Sequence, residues 1–552
     1  MRVLIREGNY PMAKRFLAAA LLPISASLIA IVALPASLTA QTPKIAPAAL
    51  PRIATIDERF QSYNIEMVEV TGGRFWKPYA SKSAETPPAP NANQPVGMDP
   101  ALYEYRSPID LSKARLRKLA AALGPAYLRV SGTWANSTFF QDSDASQDQK
   151  GGAPATPPEG FKAVLTRAEW KGVLDFAGAA NAQIVTSFAF SAGTRDAAGV
   201  WTPAEAGKVL AFTGASGSRI AAAEFMNEPT FASMGGAPAG YDAKAYARDL
   251  VVFRSFLNTK SPGTILLGPG GVGEGSMLAP ASMKTISSAD ILAATGPVFD
   301  AISYHSYGAI SARCAVGPGA AAGPGAAAGI KPDAALSEEW LSRSEKIESF
   351  YAAIRDKNEP GKPLWNTETA EAACGGDRFA ATFLDSFRYL NQLGILARHG
   401  VQVHMHNTLA ASDYGLLDEK TYEPRPNYWA ALLWHRMMGA AVLDPGPSPA
   451  PGLHLYAHCL RDQPGGVALL AINASQKSPA RIEVAAASER FSLTAVDLQD
   501  GKVLMNGVPL DLGPNDELPV FRSFSTPAGP IEFAPASITF LYIPSAGNPA
   551  CR

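Results

Sequence analysis

Eight times between residues 63 and 439 a short apolar run gives way to a segment whose apolar residues recur every three or four positions. The runs are "YNIEMVEV" (63–70), "AYLRVSG" (126–132), "AQIVTSFAF" (182–190), "RIAAAEFM" (219–226), "TILLGPG" (264–270), "FDAISYHSY" (299–307), "KPLWNTE" (362–368) and "VQVHMHN" (401–407). Runs this short and this apolar read as buried strands. The segments between them read as amphipathic helices, with faces built from Leu116, Leu119 and Leu123; Tyr246, Leu250, Phe253 and Leu257; Trp340, Ile347, Tyr351 and Ile354; and Phe379, Phe383, Phe387 and Leu390. "PNYWAALLWHRMMG" supplies the last. Eight strand-then-helix units in series predict an α/β fold of the (β/α)8 TIM-barrel type over residues 53–440, in preference to an open doubly wound sheet.

Beyond Gly439 the texture changes. "DPGPSPAPG" (444–452) is a linker, and the segments after it, such as "LHLYAHC", "GVALLAIN" and "ASITFLYI", alternate without a helix of useful length. They predict a C-terminal all-β sandwich domain over 441–552, with a strand near 50–60 as a candidate addition. "AVGPGAAAGPGAAAGIKPD" (315–333) and "GGAPATPPEG" (151–160) read as loops. At the other end, Lys14 and Arg15 precede "FLAAALLPISASLIAIVALPASLTA", an apolar segment with small residues near Ala40. This is the pattern of a secretory signal over 1–40, predicting an exported protein, periplasmic or secreted, with an uncleaved anchor as the alternative. Lys+Arg 48 against Asp+Glu 49 leaves no basic excess for a nucleic-acid partner. Export favours disulfides, and the four cysteines allow three pairings.

A (β/α)8 barrel carries its chemistry at the C-terminal ends of its strands. The fourth run ends in Asn227-Glu228-Pro229, where the proline cannot continue a ladder. The sixth ends at His305 and Tyr307, the seventh at Glu368. One glutamate at a strand end is ordinarily a salt-bridge partner. Two at one mouth are the constellation for breaking a glycosidic bond, one carboxyl protonating the leaving oxygen while the other attacks or activates water. Glu371 competes with Glu368 for the second role. His305 reads as a hydrogen-bonding site residue, and His404 and His406 as barrel packing rather than metal ligands, since no third ligand stands near them. Trp134 and Trp201 fit a sugar platform or plain core equally. Cys314 and Cys374 fall in loops above neighbouring strands while Cys459 and Cys551 share the tail, so Cys314–Cys374 and Cys459–Cys551 are the expected bridges.

"NEP" at the fourth strand and "WNTETAEAACGG" at the seventh resemble clan A glycoside hydrolases. More narrowly, "LRVSGT" (128–133), "YHSY" (304–307), "ETAEAACGG" (368–376) and "DYGLLDEKTYEPRPNYW" (413–429) stand in the order and spacing of glycoside hydrolase family 79, the heparanase and β-glucuronidase family. The resemblance covers roughly residues 60–440. It implies Glu228 as acid/base and Glu368 as nucleophile of a retaining mechanism, Asn227 at the sugar 2-hydroxyl and Tyr307 orienting the nucleophile. Thr133, Gly375, Gly376 and Tyr414 would line the subsite for glucuronic acid. The implied partner is a glucuronic-acid-containing glycan or glycoside, with no cofactor or metal, no nucleic acid, and no membrane once the signal is removed. The family's aspartate at the end of the first strand is absent from "EMVEVTGG", leaving Glu69, Thr71 or no residue in its place. Two alternatives stand beside this reading. Endo cleavage of a glycosaminoglycan is disfavoured by the lack of any basic run longer than Arg115 to Lys118. A non-catalytic glycan-binding protein on the same scaffold is disfavoured by the presence of both glutamates.

Overall fold

In the computed structural model, which describes residues 43–80, 99–143, 156–275, 285–314 and 329–552, the eight runs form a closed parallel barrel. Its strands are β1 (Gln61–Glu66), β2 (Ala126–Ser131), β3 (Ala182–Ser187), β4 (Ile220–Glu224), β5 (Ile265–Gly271), β6 (Ala301–Ile310), β7 (Leu364–Ala373) and β8 (Val403–His406). Each pairs with its neighbours in sequence, and β8 closes on β1 with His404 opposite Gln61 and His406 opposite Tyr63. The signal-like segment 1–40 and most of 315–333 lie outside the described residues. No helix among the described residues is long and apolar enough to cross a membrane.

The helices are α1 (Ala114–Ala121), α2 (Arg167–Ala179), α3 (Ala204–Ala215), α4 (Ala243–Lys260), α5 (Ser288–Thr295), α6 (Arg343–Asn358), α7 (Phe383–Arg398) and α8 (Pro426–Met437), one after each strand. Their starts follow from side chains that satisfy free amides: Thr166 and Glu169 cap α2 reciprocally, and Asp242 accepts the Ala245 amide of α4 at 2.9 Å. The predicted face of α4 is buried through Tyr246, Leu250, Phe253 and Leu257. Inside the barrel, Tyr127, Val185, Leu267, Trp365, Val403 and Met405 form an apolar layer.

Two strand ends differ from the sequence reading, and both differences shape the site. β1 stops at Glu66, and Met67–Thr71 turn helical because the Glu69 carboxylate accepts the Glu66 amide at 2.8 Å. β4 stops at Glu224, so the chain bends through Phe225–Asn227 before Glu228, which takes a left-handed φ of 49°. A non-glycine residue in that region stores local strain of the kind found at functional sites.

The C-terminal part is a sandwich. A nine-stranded sheet includes Arg52–Thr55, Met438–Leu443, Leu453–Leu460, Val467–Asn473, Ser537–Ile543 and Ser488–Thr494; a smaller sheet pairs Lys44–Ile45, Ala480–Val484 and Gly529–Phe533. One face of the large sheet packs on the small one through Leu455, Leu469, Ile482, Phe533 and Leu541. The other face continues the barrel core through Tyr456, Leu470 and Phe540. α7 lies on that side, which is why Phe383 through Ala397 are buried on every side. Its polar residues are satisfied inside: Asn391 accepts from the Tyr456 hydroxyl at 2.7 Å, and Gln392 donates to Thr369 Oγ1 at 3.0 Å. Both expected disulfides, Cys314–Cys374 and Cys459–Cys551, are present.

Candidate active site

Arg129 organises the mouth of the barrel, and the sequence reading passed it over. It follows Tyr127 by two positions on the same strand face, so it stands above the apolar layer, 1% exposed. A guanidinium buried there without counter-charges would be very costly. Its Nε and Nη2 donate to Glu224 Oε2 at 3.1 and 2.9 Å, and its Nη1 to Glu368 Oε2 at 2.8 Å. Nη2 also reaches Asn227 Oδ1 at 2.8 Å and His305 Nε2 at 3.2 Å. A charged residue within each of two apolar strand runs, Arg129 on β2 and Glu224 on β4, was the signal in the sequence that could have found this pair.

Glu368 reaches the lumen because of a bulge. The register of β7 against its neighbours shifts around Thr367, so both Thr367 and Glu368 face inward. Thr367 Oγ1 donates to Glu224 Oε1 at 2.8 Å. Glu368 Oε1 accepts from the Tyr307 hydroxyl at 2.5 Å. Burial pushes the Glu368 carboxyl up, but His305, the Arg129 guanidinium and the Tyr307 hydroxyl outweigh it, and the group lies below the usual carboxylate range.

Glu228 is poised the other way. Burial raises its carboxyl and the charge of Glu368 adds to that, while a hydrogen bond from His305 partly offsets the rise. His305 stands between Arg129 and Glu228, its Nε2 3.2 Å from Arg129 Nη2 and its Nδ1 3.0 Å from Glu228 Oε1. Asn136, another residue absent from the sequence reading, fixes the Asn227 main chain from both sides: its Oδ1 accepts the Asn227 amide at 2.8 Å and its Nδ2 donates to the Asn227 carbonyl at 2.9 Å. Asn227 Nδ2 is buried with no hydrogen-bond partner among the described residues.

The remaining predicted residues follow the C-terminal ends of β2, β7 and β8. Tyr414 is buried, and Asn407 Nδ2 donates to both the Tyr414 and Tyr307 hydroxyls, at 3.3 and 3.2 Å. Gly375 and Gly376 both have φ of 84°, and a Cβ at Gly375 would meet Ser412 Oγ at 2.5 Å and the Trp76 Cβ at 2.6 Å, so the turn admits only glycine. The Gly376 amide is directed back to the Ala372 carbonyl at 3.2 Å, whereas the Gly375 amide has no acceptor among the described residues. Thr133, half-buried, begins the short helix Thr133–Ser137 after Gly132.

At the end of the first strand stands Glu66, rather than Glu69 or Thr71. Its Oε2 is buried without a partner among the described residues, and a Cβ on Gly132 would lie 1.4 Å from it, so that glycine is what makes room for the carboxyl. Burial, then the charge of Glu368, push Glu66 well above the usual range. Glu69, itself fully buried, lies with one carboxylate oxygen 4.0 Å from Arg106.

Glu371 is turned away from this group: its Oε2 accepts the Asp377 amide at 2.8 Å, and its charged neighbours are Asp377, Asp385 and Arg388. His404 and His406 are buried against Tyr389, and His406 Nε2 bonds the Tyr414 carbonyl at 2.7 Å. Trp201 packs edge-on to Phe225 and Phe253, and Trp134 lies 5.1 Å from Phe75, so both are core. One nitrogen of His305 and one oxygen each of Glu228 and Glu368 lie within 4.8 Å of one another. That spacing would suit an ion, but both Glu368 oxygens are engaged and the Arg129 cation sits 2.8 Å from one of them, which opposes a second positive charge.

A (β/α)8 barrel with glutamates at the mouths of strands four and seven is the setting of a glycoside hydrolase. The chain belongs to glycoside hydrolase family 79: the profile described as "Glycosyl hydrolase family 79, N-terminal domain" matches residues 106–394, more than half of it. It is similar to heparanase-like protein 1 of Arabidopsis thaliana, 28% identical over 408 residues that cover 70% of this chain and 69% of that protein. It is also similar to baicalin-beta-D-glucuronidase of Scutellaria baicalensis, 33% identical over 227 residues, 38% of this chain and 43% of that one. Among solved structures, a 4-O-alpha-L-rhamnosyl-beta-D-glucuronidase from Fusarium oxysporum shares the fold with a TM-score of 0.61 at 14% identity, over 91% of this chain and 100% of that chain. A family 51 arabinofuranosidase from Xanthomonas axonopodis pv. citri does so at 0.57 and 17% identity, over 89% and 97%. At these identities the structural likeness concerns the fold alone.

Proposed function

We propose that this is an exported, retaining hydrolase of β-linked glucuronides, with Glu368 as nucleophile and Glu228 as acid/base. The observation that carries the mechanism is the pair itself: oxygens of the two carboxyls within 4.8 Å, one group lowered and the other raised. That proximity favours the roughly 5–5.5 Å carboxyl separation of retaining enzymes over the roughly 6.5–9.5 Å of inverting ones. In the first step Glu228 gives its proton to the glycosidic oxygen as the C1–O bond breaks, and a Glu368 oxygen bonds C1. In the second, Glu228 takes a proton from water, the water oxygen bonds C1, and the Glu368 ester is released. Arg129 and Tyr307 hold the nucleophile ionised and oriented, and the unpaired Asn227 Nδ2 is a donor suited to the sugar 2-hydroxyl.

The glucuronide reading is supported by the relatives named heparanase-like protein and baicalin-beta-D-glucuronidase, by the Tyr414 hydroxyl, which shares Asn407 with the Tyr307 hydroxyl, and by the unpaired Gly375 amide in the turn after β7. Arg129 and Arg313 are already bound to carboxylates, which suits one sugar carboxylate better than a polysulfated chain. Export is supported by the signal-like first 40 residues and by the two disulfides. The test is a panel of aryl β-glycosides differing only at C6: glucuronide, glucoside and xyloside. A clear preference for glucuronide is expected; a preference for glucoside or xyloside contradicts the substrate assignment.

A further inference from the structure

The wall that faces C6 on the reading above is the turn Cys374-Gly375-Gly376, whose residues have φ of 68°, 84° and 84°. Three consecutive left-handed residues, two of them glycine, do not hold one shape by themselves. A second loop holds them. Beyond the end of β6, the Ser311 amide donates to the Ala373 carbonyl at 3.0 Å and the Ala312 amide to Asp377 Oδ1 at 2.7 Å. The Gly376 carbonyl accepts from Ser311 Oγ at 2.8 Å and from Arg313 Nη2 at 3.0 Å. The next residue in that loop, Cys314, is bonded to Cys374. From the opposite side, the Gly375 carbonyl accepts from the Asp413 amide and from Ser412 Oγ, both at 3.1 Å. Arg313 is itself paired with the Asp413 carboxylate and lies 4.1 Å over the Tyr79 ring.

The peptide before Cys374 is held at the Ala373 carbonyl, Cys374 is pinned by its bridge, and the peptide after Gly375 is held at the Gly375 carbonyl, so the Cys374–Gly375 peptide between them, which carries the unpaired Gly375 amide, has its direction set before any ligand arrives. A donor with a fixed direction loses little freedom on binding a planar carboxylate. We infer that the Ser311–Cys314 loop is a positioning element for acidic-sugar recognition, with the Cys314–Cys374 bridge and the Ser311 and Arg313 clamp on Gly376 as its specificity-determining parts. None of them touches the reacting atoms. The inference rests on the glucuronide reading.

Its test compares the unaltered enzyme with Cys314→Ser/Cys374→Ser, Ser311→Ala and, as a control, Cys459→Ser/Cys551→Ser, on an aryl β-glucuronide and the matched glucoside. The first pair of changes is expected to raise KM for the glucuronide about tenfold with kcat held within about twofold, and to leave kcat/KM for the glucoside within about twofold. Ser311→Ala, which removes a single hydroxyl and threatens folding least, should shift the same KM in the same direction by about threefold. The control should lower the thermal midpoint without altering the preference. Equal losses on both substrates, or an unchanged preference in both the double variant and Ser311→Ala, overturn the inference. If instead the unaltered enzyme shows no glucuronide preference, the substrate reading beneath it falls, and this inference falls with it.

Discussion

Glu228 and Glu368 sit close enough that each ionisation opposes the other, and the residues around them decide the order. Glu368, below the ordinary 4.5, stays ionised as the pH falls past that value; Glu228, above it, stays protonated as the pH rises past it. The pH profile of kcat/KM should therefore be a bell that brackets 4.5, with the acid limb set by Glu368 and the alkaline limb by Glu228. Glu228→Gln, assayed on a substrate whose leaving group needs no protonation, should lose the alkaline limb and keep the acid one. Arg129→Met should lower kcat by at least about a hundredfold and move the acid limb upward, while costing about 3 kcal/mol of stability in urea denaturation because it strands two buried carboxylates. The two glutamates were legible in the sequence because each ends an apolar run at a predicted strand mouth. Arg129, Glu224 and Glu66 were not, because each stands inside its run, where a single charge looks like noise until the partner from another strand is brought within 3 Å or so. Asn136 was hidden for a related reason: it acts on the main chain of a residue 91 positions away.

At the scale of elements, the strands were the most legible part, since a barrel strand is covered on both faces and writes a continuous apolar run. Their ends were less so. "YNIEMVEV" alternates only as far as Met67, where two apolar residues follow one another, and the bond from the Glu66 amide to the Glu69 side chain shows why the strand becomes a helical turn there. The β7 bulge leaves no mark in the sequence, yet it turns both Thr367 and Glu368 inward. α7 shows the limit of periodicity: Asp385, Arg388, Asn391 and Gln392 read as a solvated face but are buried, because the sandwich supplies a second apolar layer and polar partners on that side. A Cβ at Gly394 would meet the Tyr456 ring at 2.4 Å. Gly394→Ala should therefore destabilise the protein by about 2 kcal/mol through overpacking, read as a lower urea midpoint, with kcat per folded molecule unchanged.

At the scale of the whole molecule, barrel and sandwich share one continuous apolar cluster, and the chain crosses between them twice. Arg52–Thr55 pair with Met438–Leu443 in the large sheet, so the strand before the barrel and the strand after it are laid side by side. Calorimetric unfolding should accordingly show one cooperative transition, and a chain truncated after Leu443 should not yield a folded barrel; two separated transitions would contradict this coupling. What the architecture serves is the placement of two carboxyls, brought together from β7 and from the bend after β4, and the account stands or falls on how they act. Proton NMR of the sugar first released from an aryl β-glucuronide tests that most directly. The account predicts that the β-anomer of glucuronic acid appears first and then mutarotates; initial appearance of the α-anomer would contradict it.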